Sequence, residues 1–238
     1  MAVQNLLHFS GKAGNIVFVN RNGQTYIRSM PVRVKRSAAS KRSSVNFGIA
    51  AAAGKTLRSQ LGYALPTTTD KYMYARFTGA ISRWLGSTLI KDMVVSNSIP
   101  YVRDFNFNPA TSIRERCRIS FTVTRISNHT IRINLPGFIP ENDISAPAHT
   151  VSLECNITTA SCRLADGVAL GNASRTINIP FNGVPIPAQS FNLAVSNPKG
   201  SVVITAVSMV FYVNKKGLIA PVNNANFIPG SIISAMYI

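Results

Sequence analysis

The chain has 238 residues, enough for one large domain or two small ones with an ample core. Hydrophobic residues make up 46% and charged residues only 14%, yet the net charge is +17. The most apolar run, Val202 to Val213, is 12 residues long and includes Thr205 and Ser208; a transmembrane helix needs about 20 apolar residues, so the run reads as a buried strand.

So low a charge content implies a surface that is polar but uncharged, or one buried against partners. The charge is also one-sided. No Asp or Glu precedes Asp70, whereas residues 1–69 carry ten Lys or Arg. Such a segment repels itself, which points to an anionic partner, either nucleic acid or an acidic protein surface. The first residues, Met1 to His8, lack the basic-then-apolar layout of a signal peptide. The expected setting is therefore the cytoplasm or an assembled particle.

In chain order, residues 1–14 read as a short lead-in ending in the flexible Gly11-Lys12-Ala13-Gly14. Asn15 to Arg28 then predicts a β-hairpin. Two runs of β-branched and aromatic residues flank Asn22-Gly23, a dipeptide suited to positive φ at both centres of a type I′ turn. That turn would set Val19 opposite Tyr26, Phe18 opposite Ile27 and Val17 opposite Arg28. From Pro31 to Ser43 the chain reads as an extended basic arm with Arg33, Lys35, Arg36, Lys41 and Arg42. It buries little by itself, so it is disordered or held by a partner.

Ser43-Ser44 can cap a helix of about 20 residues. Its apolar stripe would be Phe47, Ala50, Gly54, Leu57, Leu61 and Leu65, with Lys55 and Arg58 off the stripe and Pro66 as its end. Gly48, Gly54 and the run Ala50 to Ala53 make one side thin enough for close backbone packing. Thr67 to Asp70 supplies a second cap. Met73, Phe77, Ala80, Ile81 and Trp84 form the next stripe, and Gly86 fits a C-cap. The pair predicts an αα-hairpin with a basic outer face of Lys55, Arg58, Lys71, Arg76 and Arg83.

From about Pro100 short alternating runs are separated by Pro, Gly and Asn clusters. Predicted strands are Tyr101–Phe107, Cys117–Ile126, Thr130–Leu135, Thr150–Ile157, Arg175–Ile179, Ser190–Val195 and Val202–Val213. Their spacing suggests an antiparallel sandwich or jelly-roll-like body. The tail after Gly217 is Pro- and Asn-rich, then apolar, and should dock on the body or on a neighbouring copy. The fold class is thus α+β and mostly β. Its three parts are residues 1–43 (hairpin and arm), 44–96 (helical pair) and 97–238 (β body), with no internal repeat.

The first third of the chain resembles a family of small bacterial proteins of unknown function, of the Bacteroidetes type. The likeness lies in Gly11-Lys12-Ala13-Gly14-Asn15, in Arg21-Asn22-Gly23 followed by Tyr26-Ile27-Arg28-Ser29-Met30-Pro31, and in the helix pair. The resemblance implies a bacterial origin and carries over no activity and no functional residue.

The chemistry-bearing residues support no reaction. Gly54-Lys55-Thr56 echoes a phosphate loop, but Gly48 stands one residue too far away and the residues between are helix-forming. His8, His129 and His149 have no metal-ligand spacing. A site of His149, Cys155 and Cys162 would have a spacing that zinc modules do not commonly use. Cys117, Cys155 and Cys162 read as reduced core thiols, with a Cys155–Cys162 bridge across a hairpin open if the protein is exported. Asp70 reads as a helix cap, Glu115 as a local ion pair with Arg114 and Arg116, and Glu141 and Asp143 as loop residues. No Gly-x-Ser-x-Gly elbow occurs, and Asn128, Asn156 and Asn172 begin chance glycosylation triplets. The expectation is a non-enzymatic protein with no cofactor and no metal.

Two readings remain. In the first, an assembly protein packs its β body against copies of itself, and its hairpin, with Val17, Val19, Asn22, Gly23 and Tyr26, adds strands to an exposed sheet edge of a neighbour. In the second, a nucleic-acid-binding module grips phosphates with Arg28, Arg33, Lys35, Arg36, Lys41, Arg42, Lys55 and Arg58, with Tyr26, Tyr72, Tyr74 or Trp84 for stacking.

Overall fold

The computed structural model describes residues 2–5, 8–30, 36–65, 70–87 and 98–238, and it divides into two compact units, Met1–Arg42 and Ser43–Ile238. Expectations placed on Pro31 to Lys35, including Arg33 and Lys35, and on Pro66 to Thr69 lie outside the described residues.

The first unit holds β1 (Ala2–Asn5), β2 (His8–Ala13), β3 (Ile16–Arg21) and β4 (Gln24–Ser29), an antiparallel meander in the order β1-β2-β3-β4. Asn22 and Gly23 have φ of 54° and 79°, the sign a type I′ turn requires at both centres. The register Val19–Tyr26, Phe18–Ile27 and Val17–Arg28 is the expected one. The lead-in is corrected: Ala2–Asn5 and His8–Ala13 are two further strands, and Gly14, at φ 57°, turns β2 into β3. The segment His8 to Ala13 contains no β-branched residue, so its own propensity is poor and its strand character comes from pairing with β3.

Helix α1 (Ala38–Gln60) starts well before Ser43-Ser44. Ser37 caps it instead, its Oγ accepting from the Ser40 N–H at 3.1 Å. Lys41 and Arg42 are therefore helical rather than part of an extended arm. Phe47, expected in the apolar stripe, is 58% exposed; burial begins only at Ala50 and continues through Ala53, Gly54 and Leu57. The helix ends at Gln60, and a 3-10 turn, Gly62–Ala64, follows.

Helix α2 (Met73–Ser87) buries Met73, Phe77, Ala80, Ile81, Trp84 and Leu85, the expected stripe and one residue more. Asp70 caps it, accepting from the Tyr72 N–H at 2.6 Å. Gly86 lies inside the helix and is no C-cap. The two helices run antiparallel: Asn46 Nδ2 donates to the Leu85 carbonyl, and Arg58 Nη1 to Thr78 Oγ1. Gly54 makes the close approach, since a Cβ there would lie 3.3 Å from Thr78 Oγ1 and 3.5 Å from Ile81 Cδ1.

The β body is sandwich-like. Its small sheet is β5 (Thr122–Ser127), β6 (Thr130–Leu135) and β9 (Gln189–Ala194). Its large sheet is built on β7 (Thr150–Arg163) and β10 (Ser201–Lys215), with β8 (Ala169–Pro180) beyond β7, and β11 (Leu218–Pro221) and β12 (Gly230–Tyr237) sharing the far edge of β10. Two single-turn helices, α3 (Ile113–Arg116) and α4 (Pro140–Asp143), sit in the connections. The apolar tail docks on its own body as β12.

The large sheet is covered on both faces. Leu153, Cys155 and Ile157 of β7 and Val207, Met209 and Phe211 of β10 share a core with Ile133, Leu135 and Leu193 of the small sheet. Residues of the opposite parity, Ala160, Cys162, Val202, Ile204 and Ala206, pack with both helices and with Ile232 and Ala235. The helix pair and the β body therefore belong to one unit.

Two strand expectations need correction. Residues 101–107 are not a strand. Tyr101 and Asp104 adopt φ of 68° and 67°, which curls the segment while Val102, Phe105 and Phe107 stay buried. Cys117 to Phe121 contributes one bridge to Ile144, and β5 begins only at Thr122. Cys155 and Cys162 lie on the same strand, which rules out a bridge across a hairpin; all three cysteines are free and buried.

Helix α1 and the β7–β8 turn meet at their smallest residues. A Cβ on Gly167 (φ 68°) would fall 2.8 Å from the Ala52 carbonyl carbon, and Thr56 Oγ1 donates to the Gly167 carbonyl at 2.6 Å. Gly167→Val combines left-handed strain with overpacking against backbone and should cost about 2 to 5 kcal/mol. Gly183→Ala, at φ 74° in open space, should cost only about 1 kcal/mol. Urea unfolding of both variants tests the contrast, and equal midpoints would refute the close approach.

Candidate interaction surfaces

Alternation and register sort the side chains of the first unit into two faces. Lys12, Val17 and Arg28 align across β2, β3 and β4; Val19 and Tyr26 form the next row on that face, followed by Arg21 and Gln24. Tyr26 is 52% exposed, and its hydroxyl donates to Gln24 Oε1 at 2.7 Å. This face is cationic. The other presents Ile16, Phe18 and Ile27, of which Ile27 is 64% exposed and Ile16 38%. No residue from 10 to 30 is buried. The predicted hairpin residues thus divide by role: Val17, Val19 and Tyr26 share the cationic face, while Asn22 and Gly23 only shape the turn.

Arg36, Lys41 and Arg42 are all exposed. The first turn of α1 holds no acidic residue, so these cations meet the positive end of the helix dipole without compensation. Farther along α1, Lys55 is exposed, whereas Arg58 is already engaged. The Arg58 guanidinium donates to Thr78 Oγ1 and lies 4.7 Å from the Tyr74 ring centre. Desolvation lowers its pKa from the ordinary value, partly opposed by Tyr74. Arg76 is also internal to the fold. It bridges Asp70 at 2.6 Å and donates to the carbonyls of Asn106 and Phe107. Desolvation pushes the Asp70 carboxyl upward, but the hydrogen bonds from Arg76 and from the Tyr72 N–H outweigh it and hold the pKa below the usual value.

The acidic residues of the body are structural. Glu115 completes a capping box with Ser112 and forms no pair with Arg114, which bridges Asp104 at 2.9 Å instead. Asp143 Oδ2 accepts from the Ile139 N–H and Glu141 Oε1 from the Gly183 N–H, so both belong to a helical turn and its tether rather than to a bare loop. Gly54-Lys55-Thr56 lies in mid-helix. Among the described residues no group of three or more His, Cys, Asp and Glu could hold a metal, and no described helix is long and apolar enough to cross a membrane.

Two adjoining clefts escaped the sequence reading. The first, of about 730 Å³, is lined by Arg103, Arg114 and Arg118 together with Asp104, Asn106 and Ser120. The second, also about 730 Å³, is lined by Arg76, Arg83 and Tyr101 and shares Asp104 and Asn106 with the first. Their arginines come from three stretches of sequence, α2, the 101–107 segment and residues 114–118, which meet only in the fold. Comparison with protein-family models, with curated proteins and with solved structures returned no match.

Burial pushes the Cys117 thiol up to about 11 and Cys162 up to about 12, and raises Cys155 from its ordinary value as well. A neutral, enclosed thiol is a poor nucleophile. In native protein at pH 8 none of the three should react with an aromatic disulfide reagent, and all three should react once urea unfolds the chain. Prompt labelling of the folded protein would contradict this burial.

Proposed function

We propose that this chain is a non-enzymatic assembly protein, which self-associates through its N-terminal sheet and presents basic residues to an anionic partner. The observation that carries this reading is a four-stranded sheet with no buried residue between 10 and 30. A lone small sheet needs an apolar face packed against something to be stable in water. Here that face carries Ile16, 38% exposed, and Ile27, 64% exposed.

A second copy is the occupant best suited to it. The face carries no charge, so the +17 of each chain does not forbid a like-with-like contact there. A two-fold contact would bring Ile16 and Ile27 of each copy together. Full burial is worth about 1.5 to 3 kcal/mol per side chain, four of them against an association cost of about 4 to 15 kcal/mol. One such contact is marginal by itself, and a two-fold contact closes as a dimer, so a many-copy assembly also needs contacts made by the β body. The low charge content agrees with a surface partly covered by neighbours.

Light scattering of nuclease-treated protein at low and high salt tests this. The expected mass is that of many protomers and survives salt. Ile16→Lys with Ile27→Lys should reduce it to a monomer without lowering the melting temperature of the body. A monomer mass for the unaltered chain in both conditions would sink the reading.

The opposite face supports a second reading, nucleic-acid binding, through the cross-strand row Lys12–Val17–Arg28 with Tyr26 beside it. Changing Arg28, Arg36, Lys41 and Arg42 to Ala should then weaken binding about equally for all base sequences. It should also reduce the salt slope by about one per lost phosphate contact, as titrations at several salt concentrations would show.

A further inference from the structure

We propose that the two adjoining arginine clefts of the body form a binding site for single-stranded nucleic acid, separate from the basic face of the N-terminal sheet and independent of the assembly reading. The starting point is side-chain choice. The sequence has sixteen arginines and nine lysines. Five arginines and no lysine line the clefts, a selection that a merely solubilising surface would not need. Arginine presents a planar fork of donors that grips a phosphate through two bonds, where lysine offers a point charge.

The five have distinct duties. Arg76 is held by Asp70 and by backbone carbonyls, and forms part of the wall. Arg114, 74% exposed, is braced by Asp104. Arg103 and Arg118 are exposed and form no ion pair with any described residue. One carboxylate therefore faces three arginines in the first cleft, which leaves it cationic. Asn106 and Ser120 add uncharged polar groups of the kind that contact phosphate and sugar oxygens.

The backbone between the clefts is shaped for display. Tyr101 and Asp104 are both left-handed, a conformation that costs a non-glycine residue and that gathers at functional sites. It is held by the Arg103 N–H donating to the Ile99 carbonyl and the Asp104 N–H donating to the Ile232 carbonyl. The result buries Val102 and turns Tyr101 outward, 52% exposed, with the Arg83 guanidinium 5.4 Å from its ring centre. An outward aromatic braced by one arginine and flanked by others is the pairing that single strands use, with a base on the ring and phosphates on the forks. An acidic peptide would gain from the charge but has no use for the ring.

The test titrates fluorescein-labelled oligothymidylate into the full chain and into a cleft variant, Arg103→Ala with Arg114→Ala and Arg118→Ala. Both are also measured in a background where Lys12, Arg21, Arg28, Arg36, Lys41 and Arg42 are Ala, so that binding at the N-terminal unit cannot mask the result. In that background the oligonucleotide should still bind. The cleft changes should weaken it about tenfold or more, with a shallower salt dependence. Tyr101→Ala should weaken it while leaving the salt slope unchanged. Arg103→Gln with Arg118→Gln keeps the Arg114–Asp104 bridge and serves if the triple variant melts early. No binding in the background, equal binding by the cleft variants, or displacement by polyglutamate as readily as by unlabelled oligonucleotide would each overturn the proposal.

Discussion

The body depends on one long strand pair. β7 and β10 run antiparallel from Arg163–Ser201 to Thr150–Val213, and the middle of each is buried almost without interruption. Such burial requires cover on both faces, since a half-exposed antiparallel strand alternates instead. The small sheet covers one face and the helix pair the other. A shift of one residue would exchange the two sets of side chains and present each to the wrong layer. The buried Thr159 and Thr205 hydroxyls, opposite each other and 2.9 Å apart, add a polar pair that only this register satisfies.

The helices follow from the same constraint. A sheet face made of Ala160, Cys162, Ile204 and Ala206 is shallow, and a helix can lie close to it only if its own side chains are small. The Ala50 to Gly54 stretch meets that need. It lets α1 approach Gly167 on one side and lets Gly54 admit Thr78 and Ile81 on another. The thin helix side and the Gly167 turn thus complement each other, and the basic residues of α1 are left at the surface or, as with Arg58, folded back onto α2.

What the sequence made legible was periodic or local. The Asn22-Gly23 turn fixes its own register by φ preference, the α2 stripe repeats over four turns, and Thr130–Leu135 alternates cleanly enough to give its exact bounds. What stayed hidden depends on distant partners. β2 lacks β-branched residues and is a strand because β3 pairs with it. Residues 101–107 look like a strand, but their backbone bonds go to the edge of β12 and two left-handed residues bend them. Phe47 fits the helical period yet lies beyond the reach of the core. Ser37 outcompeted Ser43-Ser44 as a cap, and nothing in the spacing of three polar residues distinguishes them. The arginine clefts were hidden for the same reason, because Arg83, Arg103, Arg114 and Arg118 converge only after the chain has folded.

The two units pose opposite physical problems. The body closes its core within one chain: its C-terminal strand is paired, its cysteines are buried, and Asp70 and Glu115 serve as helix caps. The N-terminal sheet has register but no buried residue from 10 to 30; its turn and ladders specify a shape with one cationic and one apolar face. In the proposed function such a sheet is a connector, folded enough to present two chemically different faces. Its cationic face cannot be met by another +17 chain, whereas its neutral face can. The same economy of charge holds in the body, where among the described residues Arg76, Arg114 and Arg163 form ion pairs and the other arginines do not. In the proposed cleft site phosphate would supply the opposite charge, since the planar guanidinium fork matches it through two bonds.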